Sequence, residues 1–527
     1  MARNLKLPRS YIWHIDSVLK EKNMKNKKIK NAVKSVVFIL IVALISVYLT
    51  NVFAAKWYDK NAETAIAEHL YELKDDSIEV LLIGSSQVAW SIDTVRFYEK
   101  YGIAAYGIGG SHNNLLINYY WLQEALKKQH NIKTVMIDVS MLFNADIDEA
   151  PDYMKNLQGM KWNKNKFNAI RDYYNKIDTP ETQEDSFFDV MNNYFFTLNQ
   201  YHTRWNELDE EDFDDTEYDI HNVMGYTPTA NVWKHGTAYE DFVIENDTED
   251  VSDLFKPVQD EYLRRIIKEC REKGINVVLI KTPKNSWTKT GSDYVSKLAE
   301  EEGIDFLECT TDKVMKETGI IYDRDFKDPD HLNVRGAEKL ADYYCKYLLA
   351  HGEYSDARKK NAISKENLEI YHKKYDSCML NSTLTPEEYL DELSKRDYTI
   401  VLQSSGDISD KWTDELQKGI EKSGFTMKIA EQKGKNYLTA VRKGEVIRDT
   451  SAEGEIKDNI KVVPSNKVKF ISNFKDSETK PKFSKALTYE KDGLRITVFD
   501  KDSGEALSRA TIYSSEDTLK IYIEKAY

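Results

Sequence analysis

A chain of 527 residues that is 41% hydrophobic, 12% aromatic and 31% charged has material for roughly two to four packed domains and falls outside the disordered classes. With 22 glycines and 10 prolines it is neither collagen-like nor low-complexity. Net charge is −14, but residues 1–34 hold ten basic and two acidic residues, so the rest carries −22. A bulk that acidic excludes a duplex-DNA footprint and predicts no nucleic-acid partner.

The first element is Ser35–Ala55, SVVFILIVALISVYLTNVFAA, 21 residues without a charge. As a helix it spans roughly 30 Å, the hydrocarbon thickness of a bilayer. The basic segment 1–34 before it predicts a cytoplasmic N-terminus and a bulk outside the cell membrane. A cleaved signal peptide is the alternative, since Val52-Phe53-Ala54 offers small residues at cleavage positions. Either way the bulk is expected to work without cytosolic ATP or NAD.

From Ile78 strands and helices alternate. Apolar runs at Ile78–Ile83, Ile103–Ile108, Lys133–Val139, Asn276–Lys281 and Ile304–Leu307 predict five strands. Helical spacing marks Leu115–Leu126, Val258–Cys270 and Gly336–Leu349 between them. This alternation predicts an α/β fold with a parallel sheet covered on both faces and a site outside the strands' carboxyl ends. The stretch of about 135 residues between the third and fourth runs is too long for a crossover. It predicts a helical insert at about 140–275, with an aromatic-rich helical stretch Phe187–Trp205 and an acidic run Glu207–Asp219, a candidate lid or a solvated surface segment.

Residues 352–395 read as a charged helical linker, in which Thr385-Pro386-Glu387-Glu388 predicts a capped helix start. Residues 396–527 read as a separate α/β or β-rich domain. Its expected strands are Tyr398–Gln403, Tyr437–Val441 and Gly493–Phe499, with an amphipathic helix at Trp412–Ser423 and a hairpin turn at Asp500–Gly504.

Three stretches carry chemistry. Gly84-Ser85-Ser86 follows the first strand and precedes a helix-like segment, where free N–H groups favour an oxyanion or simply an N-cap. Gly107-Ile108-Gly109-Gly110, with Asn113 after it, follows the second strand and lets backbone approach a substrate oxygen. Asp328-Pro329-Asp330-His331 precedes the last helix, with a spacing that sets a carboxylate against one imidazole nitrogen. Neither GxSxG nor a full dinucleotide fingerprint is present. The four cysteines, Cys270, Cys309, Cys345 and Cys378, form no CxxC or Cys/His cluster, so no metal or cofactor is expected.

In this order the blocks VLLIGSSQVAWSID, AYGIGGSHNNL and DPDHLNVRGAEKLADYY resemble the SGNH/GDSL hydrolase superfamily over roughly residues 75–350. Similarity is greatest to its membrane-anchored bacterial branch, the teichoic-acid D-alanylation and alginate-type O-acetyltransferase proteins. YHTRWNELDEEDF (Tyr201–Phe213) also resembles a stretch of such proteins. The resemblance implies a flavodoxin-like sheet of SGNH type. It implies Ser86 as nucleophile, His331 as base, Asp328 as its partner and Gly109 as an oxyanion-hole donor. Two positions depart from the pattern. Ser85 stands where an Asp is usual, and Asp138-Val139-Ser140-Met141-Leu142-Phe143 replaces the third block's Gly-x-Asn-Asp, leaving Asn113 as substitute for its asparagine. GLRITVFDKDSGEALSRATI (Gly493–Ile512) and YTIVLQSSGDISDKWTDELQKGIEKSG (Tyr398–Gly424) resemble, in permuted order, the interleukin-like EMT inducer (ILEI) domain, which in some proteins binds carbohydrate.

The resemblance implies acyl transfer through a serine acyl-enzyme to a cell-surface polysaccharide or teichoic acid, beside a membrane-bound O-acyltransferase partner. A carbohydrate acetylesterase and a non-catalytic carbohydrate-binding scaffold are the alternatives.

Overall fold

The computed structural model describes residues 9–53, 66, 69–144, 150–195, 205–206, 208, 213, 222–236, 238–284, 286–474, 478–480 and 491–524. Contacts divide the chain into two compact units. The first comprises residues 1–61 and 180–219, and the second residues 62–179 and 220–527.

In the first unit one helix runs from Arg9 to Phe53. It is continuous through the basic segment and into the apolar one. Lys30–Thr50 is long and apolar enough to cross a membrane. The helical stretch expected at Phe187–Trp205 is a helix over Phe187–Phe195. Most of its remainder, and most of the acidic run at Glu207–Asp219, lies outside the described residues.

The second unit holds a five-stranded parallel sheet: β1 (Val80–Ile83), β2 (Ala105–Ile108), β3 (Thr134–Asp138), β4 (Asn276–Lys281) and β5 (Asp305–Glu308), in the order β2-β1-β3-β4-β5. Val80 pairs with Ala105 on one side and Thr134 on the other, while Thr134 pairs with Asn276 and Val278 with Asp305. β1, β3 and β4 are nearly uninterrupted apolar runs because both of their faces are covered, while the edge strand β5 is mostly half-buried or exposed. Val80, Leu82, Ala105, Met136, Val278 and Ile280 share one core with Val88, Phe97, Leu340 and Tyr344 from the helices on that side. By alternation Leu81, Ile83, Val135, Ile137 and Leu279 face the opposite side and are equally buried. Each such side chain contributes about 1.5–3 kcal/mol. After β1 the chain pairs β2 on one edge and β3 on the other, so the order reverses outside the carboxyl ends of β1 and β3. This switch point is where Ser85, Ser86 and Asp138 stand.

Within the predicted insert, helices Ala150–Gln158 and Lys164–Lys176 pack on the Leu115–Ala125 helix. Residues 222–236 then return along the site. Gly107 N–H donates to Met224 O (2.9 Å), Thr227 N–H to Ala89 O (2.9 Å) and Val334 N–H to Thr229 O (2.9 Å). That part of the insert is backbone-bonded scaffold rather than lid.

Residues 352–395, expected as a linker, contain helices Lys365–Asn381 and Pro386–Leu393. They are tied to the parallel-sheet region by Tyr371 Oη to Asp93 Oδ2 (2.7 Å), Arg335 Nε to Ser382 Oγ (2.8 Å) and Arg324 to Glu388 (2.8 Å). Thr385 Oγ1 caps the second helix by accepting from Glu388 N–H (3.2 Å).

The C-terminal region is β-rich. Six antiparallel strands run in the order β10-β9-β8-β14-β15-β16: β8 (Tyr398–Ser404), β9 (Asn436–Arg442), β10 (Glu445–Ala452), β14 (Gly493–Asp500), β15 (Ala506–Ser515) and β16 (Thr518–Ile523). A smaller sheet joins β11 (Ile456–Val463), β12 (Asn466–Ser472) and β13 (Glu478–Lys480). Asp500–Gly504 is the β14–β15 hairpin turn, with Gly504 at φ +72°. The amphipathic helix, Asp414–Lys422, buries Leu416 and Ile420 against the larger sheet.

Candidate functional site

The site begins where β1 runs out. A Cβ on Gly84 would stand 2.4 Å from Asp138 Cβ, so only glycine lets β1 and β3 approach this closely. Ser85 then caps the short helix Ser86–Ser91, its Oγ accepting from Gln87 N–H (3.3 Å). Ser86 is the first helical residue, so its N–H has no acceptor within the helix. Gly109, at the end of β2, presses on the same turn. A Cβ there would lie 2.6 Å from Ser85 O and 2.8 Å from Ala89 N. Asn113 is buried and donates through Nδ2 to Asn118 Oδ1 (3.0 Å). One of its two amide protons is used there, and the backbone N–H groups of Ser86 and Gly109 join Asn113 as the candidate oxyanion donors.

His331 and Asp328 stand on a two-stranded hairpin, β6 (Phe326–Asp328) and β7 (His331–Leu332). Asp328 Oδ1 accepts from the N–H groups of Asp330 and His331, both at 2.9 Å, which closes the turn. Both Asp328 oxygens face His331 Nδ1, at 2.8 and 3.0 Å. On the far side of the ring, His331 Nε2 is 2.7 Å from Ser86 Oγ. The three residues predicted from distant stretches therefore meet in one relay. With Nδ1–H donating to the carboxylate, Nε2 is free to accept the serine proton.

Three further bonds tie the hairpin to the Ser86–Ser91 helix and to the start of the helix that follows. Gln87 Nε2 donates to Asp330 O (2.6 Å), and Leu332 N–H to Ser91 Oγ (3.1 Å). Asn333 caps the Val334–His351 helix and donates through Nδ2 to Arg324 O (2.7 Å).

Burial pushes the His331 imidazole below its ordinary value, against the pull of Asp328, which favours the neutral ring that can accept a proton. Burial alone would raise the Asp328 carboxyl. The hydrogen bond and charge of His331, the Asp330 N–H and Lys327 outweigh it and hold the group at about 2.

Several supporting residues were not singled out by sequence reasoning. Asp138, 1% exposed at the end of β3, accepts four hydrogen bonds. Ser85 N–H (3.1 Å) and Oγ (2.6 Å) donate to its Oδ2, and Ser140 N–H (3.1 Å) and Oγ (2.6 Å) to its Oδ1. Lys281, fully buried at the end of β4, donates to Thr282 O (2.7 Å) and lies 5.3 Å from the Trp287 ring centroid. Thr282 Oγ1 in turn donates to Gln87 Oε1. The available signal was a single charged residue closing an apolar strand at its carboxyl end, as in TVMID and NVVLIK.

Burial lowers Lys281 to about 8, with Asp138 pulling the other way. Between about pH 8 and the unfolded value of 10.5 the unfolded chain then binds more protons than the folded one. Stability is expected to rise with pH across that window and to stay flat below it. Denaturation midpoints of the full chain from pH 7.5 to 10.5 check this, and Lys281→Met is expected to flatten the rise.

Searches against family models, curated proteins and solved structures return no match.

Proposed function

We propose that this chain is a membrane-anchored, extracytoplasmic serine acyl-transfer enzyme of SGNH type. It carries an acyl group through Ser86 to a hydroxyl of a cell-surface polysaccharide or teichoic acid. The observation that most supports this function is the Ser86–His331–Asp328 relay at 2.7 and 2.8 Å, at the switch point of a parallel sheet.

In the first half-reaction Ser86 Oγ attacks the acyl carbonyl carbon while its proton passes to His331 Nε2. The carbonyl π electrons move onto the oxygen, which faces the N–H groups of Ser86 and Gly109, each worth on the order of 3 kcal/mol to the developing charge. Collapse breaks the bond to the leaving alkoxide, which takes the proton from His331. An acceptor hydroxyl then repeats the sequence in reverse and frees Ser86. Water as acceptor makes the same relay an esterase. The helix through Lys30–Thr50 favours transfer, since an anchor holds the site beside a membrane-bound O-acyltransferase that supplies acyl groups. The ILEI-like C-terminal region would present carbohydrate to it.

The test is labelling of the full-length chain in detergent by a fluorophosphonate. Attack by Ser86 Oγ forms an O–P bond and expels fluoride. Peptide mass mapping is expected to place the adduct on Ser86, and Ser86→Ala to remove it. An unlabelled wild type would refute the enzyme and favour a carbohydrate-binding scaffold.

A further inference from the structure

Beside the relay lies a second arrangement that the acyl-transfer chemistry leaves unused. Lys327 immediately precedes Asp328 on β6, and its side chain is only 13% exposed. Its Nζ lies 3.3 Å from the Trp90 ring centroid and 3.7 Å from Asp328 Oδ2. Trp90 belongs to the nucleophile helix and meets the His331 ring edge-on, with centroids 4.9 Å apart. One indole thus carries an ammonium on its face and meets the relay imidazole at a near-right angle.

We propose that Lys327 is a positioning residue of the relay: its ammonium, held between the Trp90 face and Asp328, acts with burial to favour the neutral, proton-accepting form of His331. This rests on the acyl-transfer reading of Ser86, His331 and Asp328.

The physical basis is charge placement in a poorly solvated site. A second positive charge on the imidazole is disfavoured beside an ammonium that solvent barely reaches. Lys327 also draws on the carboxylate oxygen that would otherwise attract the imidazolium undivided. Both effects act in the same direction. Among the described residues, the charged groups facing His331 are Lys327 and Asp328 on β6 and Asp330 in the turn; the Ser86–Ser91 helix has none. Lys327 is the positive member of that set, opposing two carboxylates. An aromatic face suits the ammonium because the ring quadrupole replaces part of its lost water.

The experiment measures the rate constant for fluorophosphonate labelling of Ser86 in the full-length chain from pH 4 to 8. Labelling needs the neutral imidazole, so the rate falls on the acid side as His331 takes up a proton. Lys327→Met keeps the side chain's bulk and removes its charge, and is expected to move the acid limb up by about 0.5–1 pH unit. Lys327→Arg is expected to restore it. If Lys327→Met loses its cooperative melt, Trp90→Phe carries the test, with a smaller upward shift. An acid limb unchanged in the folded variant, or displaced equally in Lys327→Met and Lys327→Arg, overturns the role. A wild type that is not labelled at Ser86 counts instead against the acyl-transfer reading. A labelled wild type with unmoved variants counts against Lys327 alone.

Discussion

Replacing Asp328 with Asn is expected to slow fluorophosphonate labelling of Ser86 by about 10⁴-fold, with little change in the folded structure. The reason lies in how the carboxylate is divided. Its Oδ1 accepts two turn N–H groups at 2.9 Å, so an asparagine keeps its oxygen there and the turn survives. Oδ1 also faces His331 Nδ1, at 2.8 Å, and the amide nitrogen takes the place of Oδ2, 3.0 Å from that nitrogen. The retained oxygen, already holding two turn N–H groups, then competes for Nδ1 with an N–H donor, which favours the tautomer with the ring proton on Nε2. Nε2–H cannot accept from Ser86 Oγ, and the nucleophile loses its base. Asp330→Asn is the control, since that carboxylate accepts from Ser286 (3.2 Å) and reaches the ring through charge without a hydrogen bond, and its rate at pH 7 is expected to stay near wild type. A rate for Asp328→Asn within about tenfold of wild type would show that the relay does not operate.

The parallel sheet was legible because strands buried on both faces are apolar except at their ends. VLLI, TVMID and NVVLIK announce themselves as runs, although β1 and β2 each begin two residues later than the runs predicted. β10 and β11 were not legible for the opposite reason. EVIRDTSA lies at a sheet edge with mostly exposed side chains, and IKDNIKVV buries only part of its length, so neither forms an apolar run. Within the site, Ser86, Asp328 and His331 were legible because short local geometry creates each one: a strand-to-helix turn and a two-residue hairpin. Lys327 and Asp138 were in plain view as residue types. Their roles depend on Trp90 and Ser85, which come from segments about 240 and 50 residues away, and no local pattern encodes such a contact.

Asp138→Ala is expected to be the most destabilising single change at the site, costing about 3–5 kcal/mol. The carboxylate joins the ends of two neighbouring strands, holding the turn after β1 through Ser85 and the turn after β3 through Ser140. Alanine strands two buried N–H groups and two buried hydroxyls, and also removes a negative neighbour of the buried Lys281. The hydroxyls can rotate to other acceptors, but the N–H groups are fixed by the chain. Asp138→Asn keeps one acceptor oxygen and replaces the other with a donor facing Ser85 N–H, so about 1–2 kcal/mol is expected. Ser140→Ala removes a single hydroxyl, for about 1 kcal/mol. Denaturant midpoints of the three full-length variants in detergent should fall in that order. Ser86 labelling should drop in Asp138→Ala, even where the protein is still folded, because Ser85 positions the nucleophile turn. If Asp138→Ala costs no more than Ser140→Ala, the Ser85 side of the junction contributes nothing. The turn that presents Ser86 would then be held by Gly84, Gly109 and backbone packing alone.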